Sequence, residues 1–139
     1  MKSAPRSAYQ ETLGMIYFAR MLDKIRLFAS GELLEDFCNN LGGGFDARCV
    51  DFLRVSYADL TARVLQGGSD EEILKWCYEN GRELSEGDLF IWNQYLSKVG
   101  WNDGVSEILA RRKQESGLEA RDEIKTMLEY FEYDEGRKA

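Results

Sequence analysis

A chain of 139 residues, 44% hydrophobic, 31% charged and 12% aromatic, is the length of one domain, carries enough apolar material for a core and lies far from the composition of disordered chains. A net charge of -7 excludes generic nucleic-acid binding, whose affinity comes from Lys and Arg set against backbone phosphates. With no histidine in the chain, Ser-His and Cys-His nucleophiles are excluded and no metal site or cofactor is expected.

The opening "MKSAPRSAYQETLGMIYFAR" has no apolar run placed like a signal-peptide core and nothing long enough to span a bilayer. Cys38, Cys49 and Cys77 are odd in number and form no Cys-x-x-Cys pair, so neither a disulfide framework nor a zinc knuckle is indicated. The expectation is a cytoplasmic protein without membrane contact. Charge is uneven along the chain: residues 1–31 hold five basic and two acidic side chains, while residues 115–135 hold eight acidic ones against Arg121 and Lys125. A solvated acidic terminal helix accounts for the second stretch.

Glycines recur at the ends of helix-period segments, where left-handed caps occur, and the only proline is Pro5. A first helix is expected from about Tyr9 to Ser30, with one stripe of Phe18, Leu22, Ile25 and Ala29 and a second face of Leu13, Ile16 and Tyr17. Such a helix sits in the middle of its bundle. "ELLEDFCNN" has room for one helical turn. Asp46 is expected to cap the next helix, with Phe45 and Val50 stapled across it. Ser56 with Asp59 opens another that stops at Gly67, and Ser69 with Glu72 forms a full capping box before Asn80 and Gly81 end that helix.

Ser85 and Asp88 repeat the device, and the helix they open offers Leu89, Ile91, Trp92, Tyr95, Leu96 and Val99 to the core until Gly100. Asn102 and Asp103 are expected to cap a helix carrying Val105, Ile108 and Leu109, and a last helix covers Asp122 to Tyr133. No stretch alternates strictly at period two. The expected fold is all-α: a compact single-domain bundle of about seven helices spanning 1–139, first helix central, no sheet, with 1–8 and 134–139 as flexible ends. The unequal spacing of Ser56, Ser69, Ser85 and Asn102 excludes a solenoid.

Two stretches bear on chemistry. "GGGFDA", Gly42 to Ala47, satisfies Gly-x-Gly-x-x-Ala but follows "LLEDFCNN" rather than a Val- or Ile-rich strand, and Asp46 as a cap would occupy the amides a phosphate needs. The glycines then serve a tight loop. In "ARMLDKIR", Arg20, Asp23 and Lys24 share one helical stripe at i, i+3 and i+4. They form either an ion cluster at the core rim, with Asp23 neutralising Arg20 or Arg26, or a site for an anionic or hydroxylated small molecule. Trp92, Asn93, Trp101 and Asn102 can wall a pocket or fill the core, while acidic residues of first helical turns, such as Asp70 to Glu72, answer to the helix dipole.

"RMLDKIR", "NLGGGFDARC", "GGSDEEILKWC" and "IWNQYLSKVGWND", in this order, resemble the bacterial domain-of-unknown-function family numbered 5069, over about Pro5 to Gly136. The resemblance implies an all-helical cytoplasmic protein and carries over no catalytic residue. The candidate binding residues are Arg20, Asp23, Lys24, Asn40, Arg48, Trp92 and Asn93, with no catalytic residue assigned. The favoured reading is a non-enzymatic small-molecule or partner-binding module, monomer or homodimer, with a polar cleft at the first helix and the Gly-rich loop. Two alternatives stand beside it. One is a small transferase or hydrolase using Asp, Lys and Arg on a phosphorylated or sugar-like substrate; the other is a self-association module.

Overall fold

The computed structural model describes all 139 residues and is predominantly helical, with eight helices and one two-stranded antiparallel hairpin. Residues 1–89 and 90–139 form two compact units. No helix is long and apolar enough to cross a membrane.

The first unit begins with the hairpin, β1 (Glu11–Thr12) and β2 (Met15–Ile16), in the register Glu11 opposite Ile16 and Thr12 opposite Met15. This corrects two expectations, the absence of any sheet and a first helix starting near Tyr9. Leu13 and Gly14 both take positive φ, 49° and 82°, as a two-residue hairpin turn matched to strand twist requires. Period-three apolar residues ahead of Phe18 therefore belong to the hairpin. Helix α1 spans Phe18–Ala29, and seven of its 12 residues are buried, Arg20 and Lys24 among them. It packs on β1 and on α4 (Tyr57–Leu65).

Between them lie α2 (Glu35–Cys38) and α3 (Phe45–Leu53). The single turn foreseen in "ELLEDFCNN" is α2, and it brings the helices to eight rather than about seven. Asp46 does not cap α3. The N-cap is Gly44, with no side-chain cap, and Asp46 lies inside the first turn, fully buried. Ser56 does cap α4, accepting from the Asp59 amide at 3.0 Å.

The capping box of α5 (Asp70–Asn80) is complete: Glu72 N–H donates to Ser69 Oγ and Ser69 N–H to Glu72 Oε1. The Ser69 amide holds the Glu72 carboxyl below its usual range. Helix α5 packs on α4 and β1. Helix α6 (Glu86–Lys98) opens with the reciprocal Ser85–Asp88 pair.

The second unit holds most of α6, α7 (Ser106–Glu115) and α8 (Met127–Asp134). Trp92, Leu96 and Val99 are buried, but Ile91 and Tyr95, assigned above to the core, are exposed. Helix α6 is apolar on most sides, and Trp92, Leu96 and Val99, three or four apart, select the buried stripe. The exposed Ile108 departs from expectation in the same way, while Leu109 beside it is buried. The α7 cap is also corrected: Val105 is the N-cap and makes no side-chain cap bond, while Asp103 accepts from the Gly100 and Val105 amides. Helix α8 starts later than expected, at Met127, because Thr126 caps it through the Glu129 amide; Ile124 is buried ahead of it. Helices α7 and α8 pack together, and Lys113 Nζ donates to the carbonyls of Arg121 and Ile124 at 2.8 and 3.1 Å.

Candidate functional site

The stripe of Arg20, Asp23 and Lys24 on α1 is split by the fold. Lys24 points inward, 6% exposed, and its Nζ lies 2.9 Å from Asp46 Oδ1 and donates to the Tyr17 hydroxyl at 3.3 Å. Tyr17 in turn donates to Asp46 Oδ1 at 2.7 Å. The other carboxylate oxygen, Oδ2, accepts the Gly42 amide at 3.1 Å. One fully buried carboxylate thus joins α1, the residue preceding it and the Gly-rich loop. Both Asp46 oxygens are used, which a buried charge requires.

Two local features bring these groups together. Tyr17, the N-cap residue of α1, has φ 74° and ψ -31°, a conformation costing roughly 1–3 kcal/mol for a side chain of this size. It sits between β2 and α1, and its ring meets Phe45 edge-on at 6.0 Å. Gly42, at φ 77°, carries the loop under the Tyr57 ring, where an added Cβ would lie 3.0 Å from Tyr57 Cδ2. Both the left-handed conformation and the narrow gap favour glycine at this position.

The Asp46 charge acts on its surroundings. Burial first, then the carboxylate, pushes the Tyr17 hydroxyl well above its usual value, so it stays a phenol and a donor. Burial and Asp46 likewise push Tyr57 up to about 12. The Cys49 thiol is raised in the same order of causes, and burial pushes Cys77 up to about 12. Neither thiol is a nucleophile near neutral pH.

Arg20, 3% exposed, donates from Nη1 to the Arg6 carbonyl at 3.1 Å, with its guanidinium over the Phe37 ring of α2. Asp23 turns outward to Arg6, accepting from Nε at 2.8 Å, Nη2 at 2.9 Å and the Arg6 amide at 3.0 Å. Arg6 and Arg26 both also reach Asp70, at 2.7 and 2.6 Å. Asp23 therefore serves a four-membered ion cluster joining the N-terminal segment, α1 and α5. Hydrogen bonding to Asp23, its largest cause, keeps the Arg6 pKa raised and its charge fixed.

Among the other candidates, Asn40 is exposed; its carbonyl accepts the Gly43 amide, and its side-chain amide lies against Gly43 and Gly44, where a Cβ on Gly43 would come 2.8 Å from Asn40 Oδ1. Arg48 is exposed on α3. Trp92 is buried and Asn93 half-buried on α6, within the second unit. Sequence reasoning found both buried cations but neither of the groups facing Lys24. Tyr17 read as apolar helix surface, and Asp46 as a cap. The signal available for Asp46 was the phase of α3, since it stands three, four and seven residues before Cys49, Val50 and Leu53, on the face that is buried.

No curated protein and no solved structure matches the chain. A family model described as a domain of unknown function (DUF5069) matches residues 2–137. With almost every residue covered, the buried Lys24–Asp46 pair and the loop above it included, the chain belongs to the DUF5069 family.

Proposed function

We propose that the chain is a non-enzymatic binding module that holds an anionic or hydroxylated small molecule where α1 meets the Gly-rich loop. The observation that carries this reading is the composition of the buried charge in the first unit: Arg20 and Lys24, i and i+4 on α1, with the single carboxylate Asp46. Buried cations carry a desolvation cost even when they are paired, and two on one face of one helix, beside a strained tyrosine, support a functional use of this place. The cations face Phe37 and Asp46, on the two helices that flank the loop. The start of α3 has no side-chain cap, and Asp46 in its first turn meets the positive end of the helix dipole. In this reading the exposed Asn40 beside the loop and the exposed Arg48 on α3 are the outer groups that meet the ligand. The unbridged thiols of Cys38, Cys49 and Cys77 support a cytoplasmic setting.

Thermal unfolding with inorganic phosphate, a sugar phosphate and a dicarboxylate tests the proposal. A fitting anion at hundredfold its dissociation constant should add about 2.7 kcal/mol, a rise in Tm of roughly 8 °C. Arg20→Lys and Arg48→Ala should each remove most of the rise with helical circular dichroism unchanged, whereas Arg111→Ala, exposed on α7, should keep it. A panel in which no anion shifts Tm, or a shift indifferent to Arg20 and Arg48, removes the reading.

One observation favours catalysis instead. The Tyr17 hydroxyl bonded to both Lys24 and Asp46 is a short proton path, and turnover of the sugar phosphate lost in Asp46→Asn would establish it. Burial of all three groups favours binding.

A further inference from the structure

Helix α6 carries a second, complete stripe that no part of the site uses. Glu86, Gly87, Phe90, Ile91, Gln94, Tyr95 and Lys98 are all exposed, the spacing of one continuous helical face. Its middle is apolar, with Phe90 66%, Ile91 62% and Tyr95 41% exposed. Its ends are charged and opposite: Glu86 in the first turn and Lys98 in the last. Lys98 is already oriented along the stripe by a hydrogen bond to Gln94 Oε1.

We propose that this face binds a second copy of the chain through antiparallel α6–α6 pairing. The stripe is complementary to itself in that direction alone. A two-fold axis near residue 92 sets each Lys98 beside the other copy's Glu86, and the same axis sets each Phe90 beside the other copy's Tyr95, an aromatic pair. Parallel pairing would set Glu86 against Glu86 and Lys98 against Lys98. Gly87, whose Cβ would meet nothing closer than Ser85 Oγ at 3.7 Å, leaves the neighbouring Lys98 stem room to lie flat on the helix. Isologous contacts of this kind close at two copies.

The area sets the strength. Thirteen residues make a helix about 20 Å long, and one face of it covers a few hundred Å², well below the ~800 Å² each partner of a stable complex contributes. An interface of less than standard size points to a weak dimer.

Sedimentation equilibrium of the full chain from about 5 µM to about 1 mM tests it, a span that reaches weak association. The wild type should pass from monomer to dimer. Ile91→Glu and, independently, Phe90→Ser should weaken association at least tenfold, both with unchanged circular dichroism because both side chains lie outside the core. Glu86→Lys and Lys98→Glu should each weaken it severalfold, and the double variant Glu86→Lys/Lys98→Glu should restore it. A chain monomeric across the whole range overturns the proposal. So does association that Ile91→Glu and Phe90→Ser leave intact, or a double variant no better than the single ones.

Discussion

Lys24→Met should lower stability in urea unfolding by about 3–5 kcal/mol, because it removes one member of a buried ion pair and leaves the other charge in place. Asp46 is fully buried, and its Oδ1 would keep only the Tyr17 hydroxyl, at 2.7 Å. The fall in Tm is then roughly 10 °C or more. Adding Asp46→Asn should recover most of the loss, since a neutral amide still offers an oxygen to the Gly42 amide and no charge remains to be solvated. Tyr17→Phe alone should cost only about 1–2 kcal/mol, one hydrogen bond to a charged acceptor, with Lys24 still at hand. A Lys24→Met loss below about 1 kcal/mol would contradict a buried pair, as would a double variant less stable than the single one.

Gly81→Ala should be as damaging, for a different reason. The backbone of Gly81 has a negative φ, -131°, so no left-handed conformation calls for glycine there, and the requirement read from its neighbours is room. A Cβ there would lie 2.1 Å from the Leu53 carbonyl oxygen, 2.9 Å from that of Arg54 and 2.8 Å from Val55 Cγ1. Two of these neighbours are backbone at the end of α3, and the Leu53 carbonyl is also held by the Arg82 amide at 2.9 Å. The end of α5 crosses the end of α3 where only a glycine passes. We expect a loss of about 3 kcal/mol or more, or failure to fold, on the scale of a severe overpacking change. Gly67→Ala makes the comparison: Gly67 has φ +93° and no atom within 4 Å of its added Cβ, so strain alone acts, about 1 kcal/mol. Urea unfolding of the two variants side by side separates room from conformation, and equal losses would contradict the close crossing.

The features legible in the sequence were those written within one helical turn. Ser56 with Asp59, Ser69 with Glu72 and Ser85 with Asp88 each place both partners three residues apart, so the residues that define the helix start also satisfy it. The hairpin was not legible because its turn uses Leu13 at positive φ, where Asn or Gly would announce it, and because two-residue strands leave no alternation to read. In α6, Ile91 and Tyr95 resembled core because apolar residues occupy both faces, and the buried stripe is settled by packing alone.

The candidate site divides along the same line. Arg20, Asp23 and Lys24 were found as a local stripe, but their partners come from far along the chain. Asp46 lies 22 residues from Lys24, and Arg6 lies 17 from Asp23. Which member of a charged stripe turns inward depends on what faces it, so Lys24 and Asp23, adjacent in sequence, ended in clusters of different character.

That difference decides how the protein answers to ionic strength. The cluster of Arg6, Asp23, Arg26 and Asp70 is open to solvent, with Arg6 41% and Arg26 33% exposed in their side chains, and a Debye length of about 8 Å at physiological salt, falling to about 3 Å at 1 M, screens such pairs progressively. The Lys24–Asp46 pair, with side chains 7% and 0% exposed, is beyond the reach of mobile ions. Salt therefore loosens the clasp between the N-terminal segment, α1 and α5, and leaves the Gly-rich loop fastened to α1.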